Sequence, residues 1–128
     1  MATFLKSYEG QTYALLRITA GLLFLSHGSQ KLLDFPASGP GNLEPLFLAG
    51  ALVELVGGAL IAVGFFTRWA AFVSSGQMAV AYWMFHGLNH YHPMVNRGEL
   101  ATLYCFVFLF IAAKGPGMWS LDRAQRRS

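Results

Sequence analysis

The chain has 128 residues and is 55% hydrophobic but only 12% charged, with a mean hydropathy of +0.45. A soluble domain has about a quarter of its residues charged, and one of this length cannot hide several long apolar runs side by side, so the totals exclude an ordinary soluble globule. The net charge of +3 and pI near 9.3 come from scattered basic residues and a basic C-terminus, with no basic face or motif, which sets nucleic-acid binding aside.

The first apolar run, residues 13–33, is long enough to cross a bilayer at about 1.5 Å per residue. It is too long for the apolar core of a signal peptide and has no small-residue cleavage site, so it is expected to be retained. Arg17, Gly21, Phe24, Gly28 and Lys31 follow one helical face, with His27 beside them. The glycines on that face admit a close neighbouring helix and turn the polar groups into protein. "DFPASGPGNLEP" then reads as a loop.

The second run, residues 46–66, carries one carboxylate, Glu54, within a stripe of Gly50, Glu54, Gly58 and Ala62. Small residues at four-residue spacing mark helix–helix contact in membranes, so Glu54 is predicted to face protein. "TR" separates this run from the third, residues 69–86, and the two form a helical hairpin; Gln77 in the third run is expected to bond a neighbouring helix. "HGLNHYHPMVNRGE" is polar and irregular, the fourth run covers residues 99–113, and a basic tail occupies 114–128. The expected fold class is all-α, an integral membrane four-helix bundle forming a single domain over residues 1–128.

Four spans bring both termini to one side. That side holds Lys6, Arg17, Arg68, Lys114, Arg123, Arg126 and Arg127, against Lys31 and Arg97 on the other. The excess of positive charge predicts a multi-pass protein of the cell (inner) membrane with both termini cytoplasmic.

An ionisable group inside a membrane span is a functional candidate. By helical rise, Glu54 lies about 12 Å and His27 about 10 Å from the loop end of their spans. A His27–Glu54 or Arg17–Glu54 contact is therefore expected, with a base holding the carboxylate ionised. Lys31 is read equally as a snorkelling residue at the interface. The candidate ligand-binding residues are Arg17, His27, Lys31, Glu54, His86 and Glu99, with no catalytic residue assigned. Glu99 also suits the first turn of a helix. His86, His90 and His92 have the residue type of a metal site, but their spacing fits no standard one and no metal is expected. The single cysteine, Cys105, permits no internal disulfide and no paired-thiol chemistry, and is read as a core residue.

Three stretches together resemble the DoxX family of small membrane proteins: "LRITAGLLFLSHGSQKLL", "LVELVGGALIAVGFFTRWAA" and "NRGELATLYCFVFLFIAAKGPGMWSLD". The resemblance covers most of residues 15–122. It includes Arg17, Gly21, His27, Gly28 and Lys31; then Glu54, Gly57, Gly58, Gly64 and Arg68; then Asn96, Gly98, Glu99 and the "GPGMWSLD" segment. It implies four transmembrane helices and a place beside quinone-linked oxidoreductases. The expected function is that of a membrane subunit binding a quinone-like or other small organic ligand among its helices, with the bilayer and a soluble redox protein or further copies of itself as partners. A quinone is the cofactor this reading admits, and whether the chain is itself an enzyme stays open. The alternatives are a non-enzymatic anchor or assembly partner of a soluble oxidoreductase, and a small proton-coupled carrier.

Overall fold

The computed structural model describes residues 3–33, 45–83 and 99–125, which are mostly helical with no strand among them. A single turn of tighter helix at Lys6–Tyr8 leads into α1, Glu9–Leu33. Then come α2, Pro45–Val63, α3, Thr67–Ala81, α4, Glu99–Lys114, and the short α5, Leu121–Ala124. The helices run up and down in sequence: α1 lies along α2, α2 along α3, and α3 along α4. The end of the structure that holds the two chain ends is called here the terminal end, and the opposite end the loop end.

Glycine sets the closest crossing. A Cβ on Gly21 would meet the Gly58 carbonyl at 2.8 Å, and one on Gly28 would meet the Ala51 carbonyl at 2.7 Å. Both obstacles are backbone, so only glycine lets α1 and α2 lie this close. The pairing of Gly21 with Gly58 and Ala62, and of Gly28 with Ala51 and Leu55, fixes an antiparallel register. It sets His27 level with Glu54 and Arg17 level with Gly64. Phe24, Ile61, Phe108 and Ile111 fill the centre with no exposure, and the ring of Phe24 packs against those of Tyr104 and Phe108.

The helix ends differ from the predicted runs at three places, and one is α3, which begins at Thr67 rather than at 69, so that "TR" opens the helix instead of separating two. α1 begins at Glu9 rather than near residue 13, because helix formation needs no apolar residues and an acid suits its first turn. α2 stops at Val63 rather than at 66. Gly64 takes φ 73°, and the amides of Gly64 and Phe65 bond back to Ile61 and Leu60 in a Schellman turn. The apolar letters of "GFF" hide a tight turn.

The surface is inverted relative to a soluble protein. Arg17 and Glu54 are buried, while Leu22 and Leu23 on α1, Leu52 and Val56 on α2, Phe72 and Val73 on α3, and Phe106 and Phe110 on α4 are exposed. α2 has 19 residues with mean hydropathy 2.3, long and apolar enough to cross a membrane, and only a third of it is buried. Among the described residues it is the one helix that meets both conditions.

Candidate functional site

The polar side chains form two separate assemblies, one at each end. At the terminal end Arg17, wholly buried, donates to five backbone carbonyls. Nε bonds Ile61 O at 3.0 Å and Nη2 bonds Ala62 O at 3.4 Å, both carbonyls of the last turn of α2. The rest of the fork reaches Pro116 O, Met118 O at 2.9 Å and Trp119 O at 2.7 Å, binding the segment between α4 and α5 to that helix end. Arg68 repeats the device on α4, donating to Ala112 O at 3.1 Å and Ala113 O at 2.6 Å. Asp122 does the opposite job. Its carboxylate accepts from Phe66 N at 2.9 Å, Thr67 N at 2.8 Å and Thr67 Oγ1 at 2.8 Å, capping α3 from a distant part of the chain. Cations thus sit at helix C-termini and an anion at an N-terminus, as the helix dipole favours. Arg17, expected to contact Glu54, is here a backbone lock. Its position level with Gly64 is too far along α1 for that contact, since a Cβ on Gly64 would lie 3.3 Å from the guanidinium carbon.

At the loop end a cavity of about 540 Å³ opens between the four longer helices. Its polar lining consists of His27 and Lys31 from α1, Glu54 from α2, Gln77 from α3 and Tyr104 from α4. Apolar residues, Phe24 and Phe47 among them, supply the rest. Glu54 is 1% exposed, and its Oε2 accepts from Lys31 Nζ at 2.7 Å. Gln77 Nε2 approaches the same oxygen at 3.5 Å. The Lys31 ammonium also lies 5.1 Å from the centre of the Phe47 ring. The expected bases, His27 and Arg17, are therefore replaced as the ion partner by Lys31, which turns inward instead of snorkelling outward. His27 stands edge-on to Tyr104, with ring centres 6.0 Å apart.

The cavity holds polar atoms that the fold leaves unmatched. Among the described residues, Glu54 Oε1, Gln77 Oε1 and the Tyr104 hydroxyl are buried without a hydrogen-bond partner. The hydroxyl of Ser74, behind the cavity near Gly57, is a fourth. Buried polar atoms are nearly always paired, because each one left bare costs about 1–3 kcal/mol. Three of the four belong to residues that line the cavity. Gln77 contacts the neighbouring helix as expected, whereas sequence reasoning passed over Tyr104. The signal for Tyr104 was available, since a tyrosine within an apolar run needs a partner for its hydroxyl.

Glu99 opens α4 and is exposed, in keeping with a first-turn acid. Cys105 is a free, half-buried thiol beside Ser75, whose hydroxyl donates to the Cys105 carbonyl at 2.7 Å. His86, His90 and His92 lie outside the described residues. Among the described residues no three His, Cys, Asp or Glu side chains gather as a metal site requires.

The DoxX family profile matches residues 12–87, more than half of the chain. The chain belongs to the DoxX family. A protein of Haemophilus influenzae is 39% identical over 92% of this chain and 93% of its own length. A membrane protein of Mycobacterium tuberculosis is 33% identical over 84% of this chain and 77% of its own. The inner membrane protein YqjF of Escherichia coli is 29% identical over 93% and 95%. No solved structure matches the chain. DoxX membership, the membrane-protein relatives and the apolar outer surface together make this a membrane protein. The cavity lies within the matched DoxX region apart from its α4 wall.

Proposed function

We propose that this DoxX protein crosses the inner membrane four times with both termini in the cytoplasm, and that it serves a redox-linked system by holding a quinone-like organic molecule in the loop-end cavity. One observation carries the reading: Glu54, Gln77 and Tyr104, each with a buried polar atom that lacks a partner, line a cavity whose other walls are apolar and aromatic. A flat ring with oxygen substituents fills the apolar space and meets those atoms, and a carboxylate beside an ammonium can accept and return protons as the ligand changes state. About 540 Å³ is within the range of small-molecule sites, generally about 300–1,000 Å³. Electrons would come from a separate redox protein. The excess of basic residues at the terminal end supports the orientation.

The test is to purify the protein from membranes in mild detergent, extract it with organic solvent and identify co-purifying molecules by mass spectrometry. A quinone retained near one per chain, and depleted in Glu54→Leu, is the expected result. No retained molecule, with no thermal shift on adding quinones, would reject the reading. Reporter fusions to the two termini check the orientation, and activity of a periplasm-dependent reporter at either end would overturn it.

A further inference from the structure

The unmatched atoms in the cavity are not an even mixture of donors and acceptors. Glu54 Oε1 is an acceptor while the carboxylate is ionised, Gln77 Oε1 is always one, and only the Tyr104 hydroxyl can both donate and accept. The strong donor of the cavity, Lys31 Nζ, commits one of its three N–H groups to Glu54 Oε2 at 2.7 Å. The orientation of the Gln77 amide follows from its neighbour. Its nitrogen lies 3.5 Å from a carboxylate oxygen, and the reverse orientation would set oxygen against oxygen. Around this acceptor-rich patch stand the rings of Phe24, His27, Phe47 and Tyr104.

We infer that the cavity selects its occupant in a hydrogen-bond-donating state, an aromatic diol in preference to the matching dicarbonyl. The inference rests on the ligand-binding reading above and deepens it by naming the redox form that is held. A diol hydroxyl donates to Glu54 Oε1, a charge-assisted bond, and to Gln77 Oε1. The dicarbonyl brings acceptors to acceptors. Tyr104, His27 and the remaining Lys31 N–H groups can donate to it, but it leaves both acceptor oxygens unpaired. A hydrogen bond to a charged group changes affinity by roughly tenfold to a hundredfold, which is the preference expected for the diol. Tenfold tighter holding of the reduced member raises the midpoint of the bound two-electron couple by about 30 mV.

Glutamate-to-glutamine exchange at this position reverses the pattern. With Lys31 retaining the amide oxygen, the new amide nitrogen points into the cavity and puts a donor where Oε1 stood. Gln77→Met removes one acceptor, together with the long amide contact to Glu54 Oε2.

The experiment titrates the purified full chain in nanodiscs, under anaerobic conditions, with decylubiquinol and with decylubiquinone, reading the two dissociation constants calorimetrically. The diol should bind roughly tenfold to a hundredfold tighter. Glu54→Gln should abolish or invert that ratio, and Gln77→Met should weaken the diol alone. Should Glu54→Gln fail to fold, Gln77→Met carries the test. Equal affinities, or a tighter dicarbonyl, overturn the inference while leaving the ligand-binding reading intact. A diol preference that neither variant alters also overturns it, since the preference then arises elsewhere. Binding of neither probe rejects both.

Discussion

Arg17 offers the sharpest separation between a structural and a ligand-binding role. Its guanidinium is wholly buried and bonds carbonyls of Ile61, Ala62, Pro116, Met118 and Trp119. Arg17→Met strips all of them of their donor while preserving much of the buried volume. Single bonds to a charged group contribute about 1.5–3 kcal/mol each, but five bonds to one group share a single desolvation cost and do not add. Loss of a buried polar network costs about 3–5 kcal/mol, and that is the expected destabilisation. Arg17→Lys places three donors on a flexible stem where a planar fork of five is used, so it should recover about half of the loss. In a domain of this size each kcal/mol moves the unfolding midpoint by about 3–6 °C, so Arg17→Met should melt roughly 10–25 °C below the parent in a detergent-solubilised thermal scan. Removing residues 116–128 takes away three of the five acceptors, and the cost of Arg17→Met should shrink in that background. A midpoint within about 3 °C of the parent for Arg17→Met, less than 1 kcal/mol, would refute the lock, most plainly if ligand binding were lost at the same time.

Gly58→Ala should destabilise by about 1–3 kcal/mol, because its Cβ would press on the backbone of Leu25 and on the Gly21 carbonyl 2.7 Å away. Gly76→Ala, on α3 with open space around it, should instead raise stability by about 0.5–1 kcal/mol; paired thermal melts read both signs. Asp122→Ala should cost about 1–3 kcal/mol and expose the amides of Phe66 and Thr67 to hydrogen exchange. Lys31→Met should cost about 2–4 kcal/mol by leaving Glu54 buried without its ion partner, and adding Glu54→Leu should restore most of that, since two apolar groups suit the site better than one charge. A double variant as unstable as the single one would show that the pair is not the source of the cost.

The residues that carry the DoxX resemblance divide by function in space. Arg17, Gly64, Arg68 and Asp122 tie helix ends together at the terminal end, while His27, Lys31 and Glu54 line the cavity at the other. The runs of apolar letters announced the helices, and the small-residue stripe turned Glu54 inward as observed. The lock was not legible. Its acceptors are backbone carbonyls, which every residue has and no sequence pattern marks, and its closing segment, Pro116–Trp119, reads as a plain loop.

The choice of partner for Glu54 was legible in principle. On an α-helix every Cα–Cβ bond tilts toward the helix N-terminus. α1 climbs toward the loop end, so its side chains lean back toward the terminal end. Arg17 is carried away from Glu54 and onto the carbonyls of Ile61 and Ala62. Lys31, starting at the loop end, is carried down into the structure. α2 runs the other way, and Glu54 leans up toward the loop end. Depth from the helical rise put His27 level with Glu54, and the register agrees, yet two side chains leaning toward each other meet across a full turn, and Lys31 Nζ arrives 2.7 Å from Glu54 Oε2. Oε1 of the same carboxylate is left buried without a partner. The carboxylate is therefore half spent on the fold and half unmatched, and the unmatched half is the atom on which the ligand reading depends.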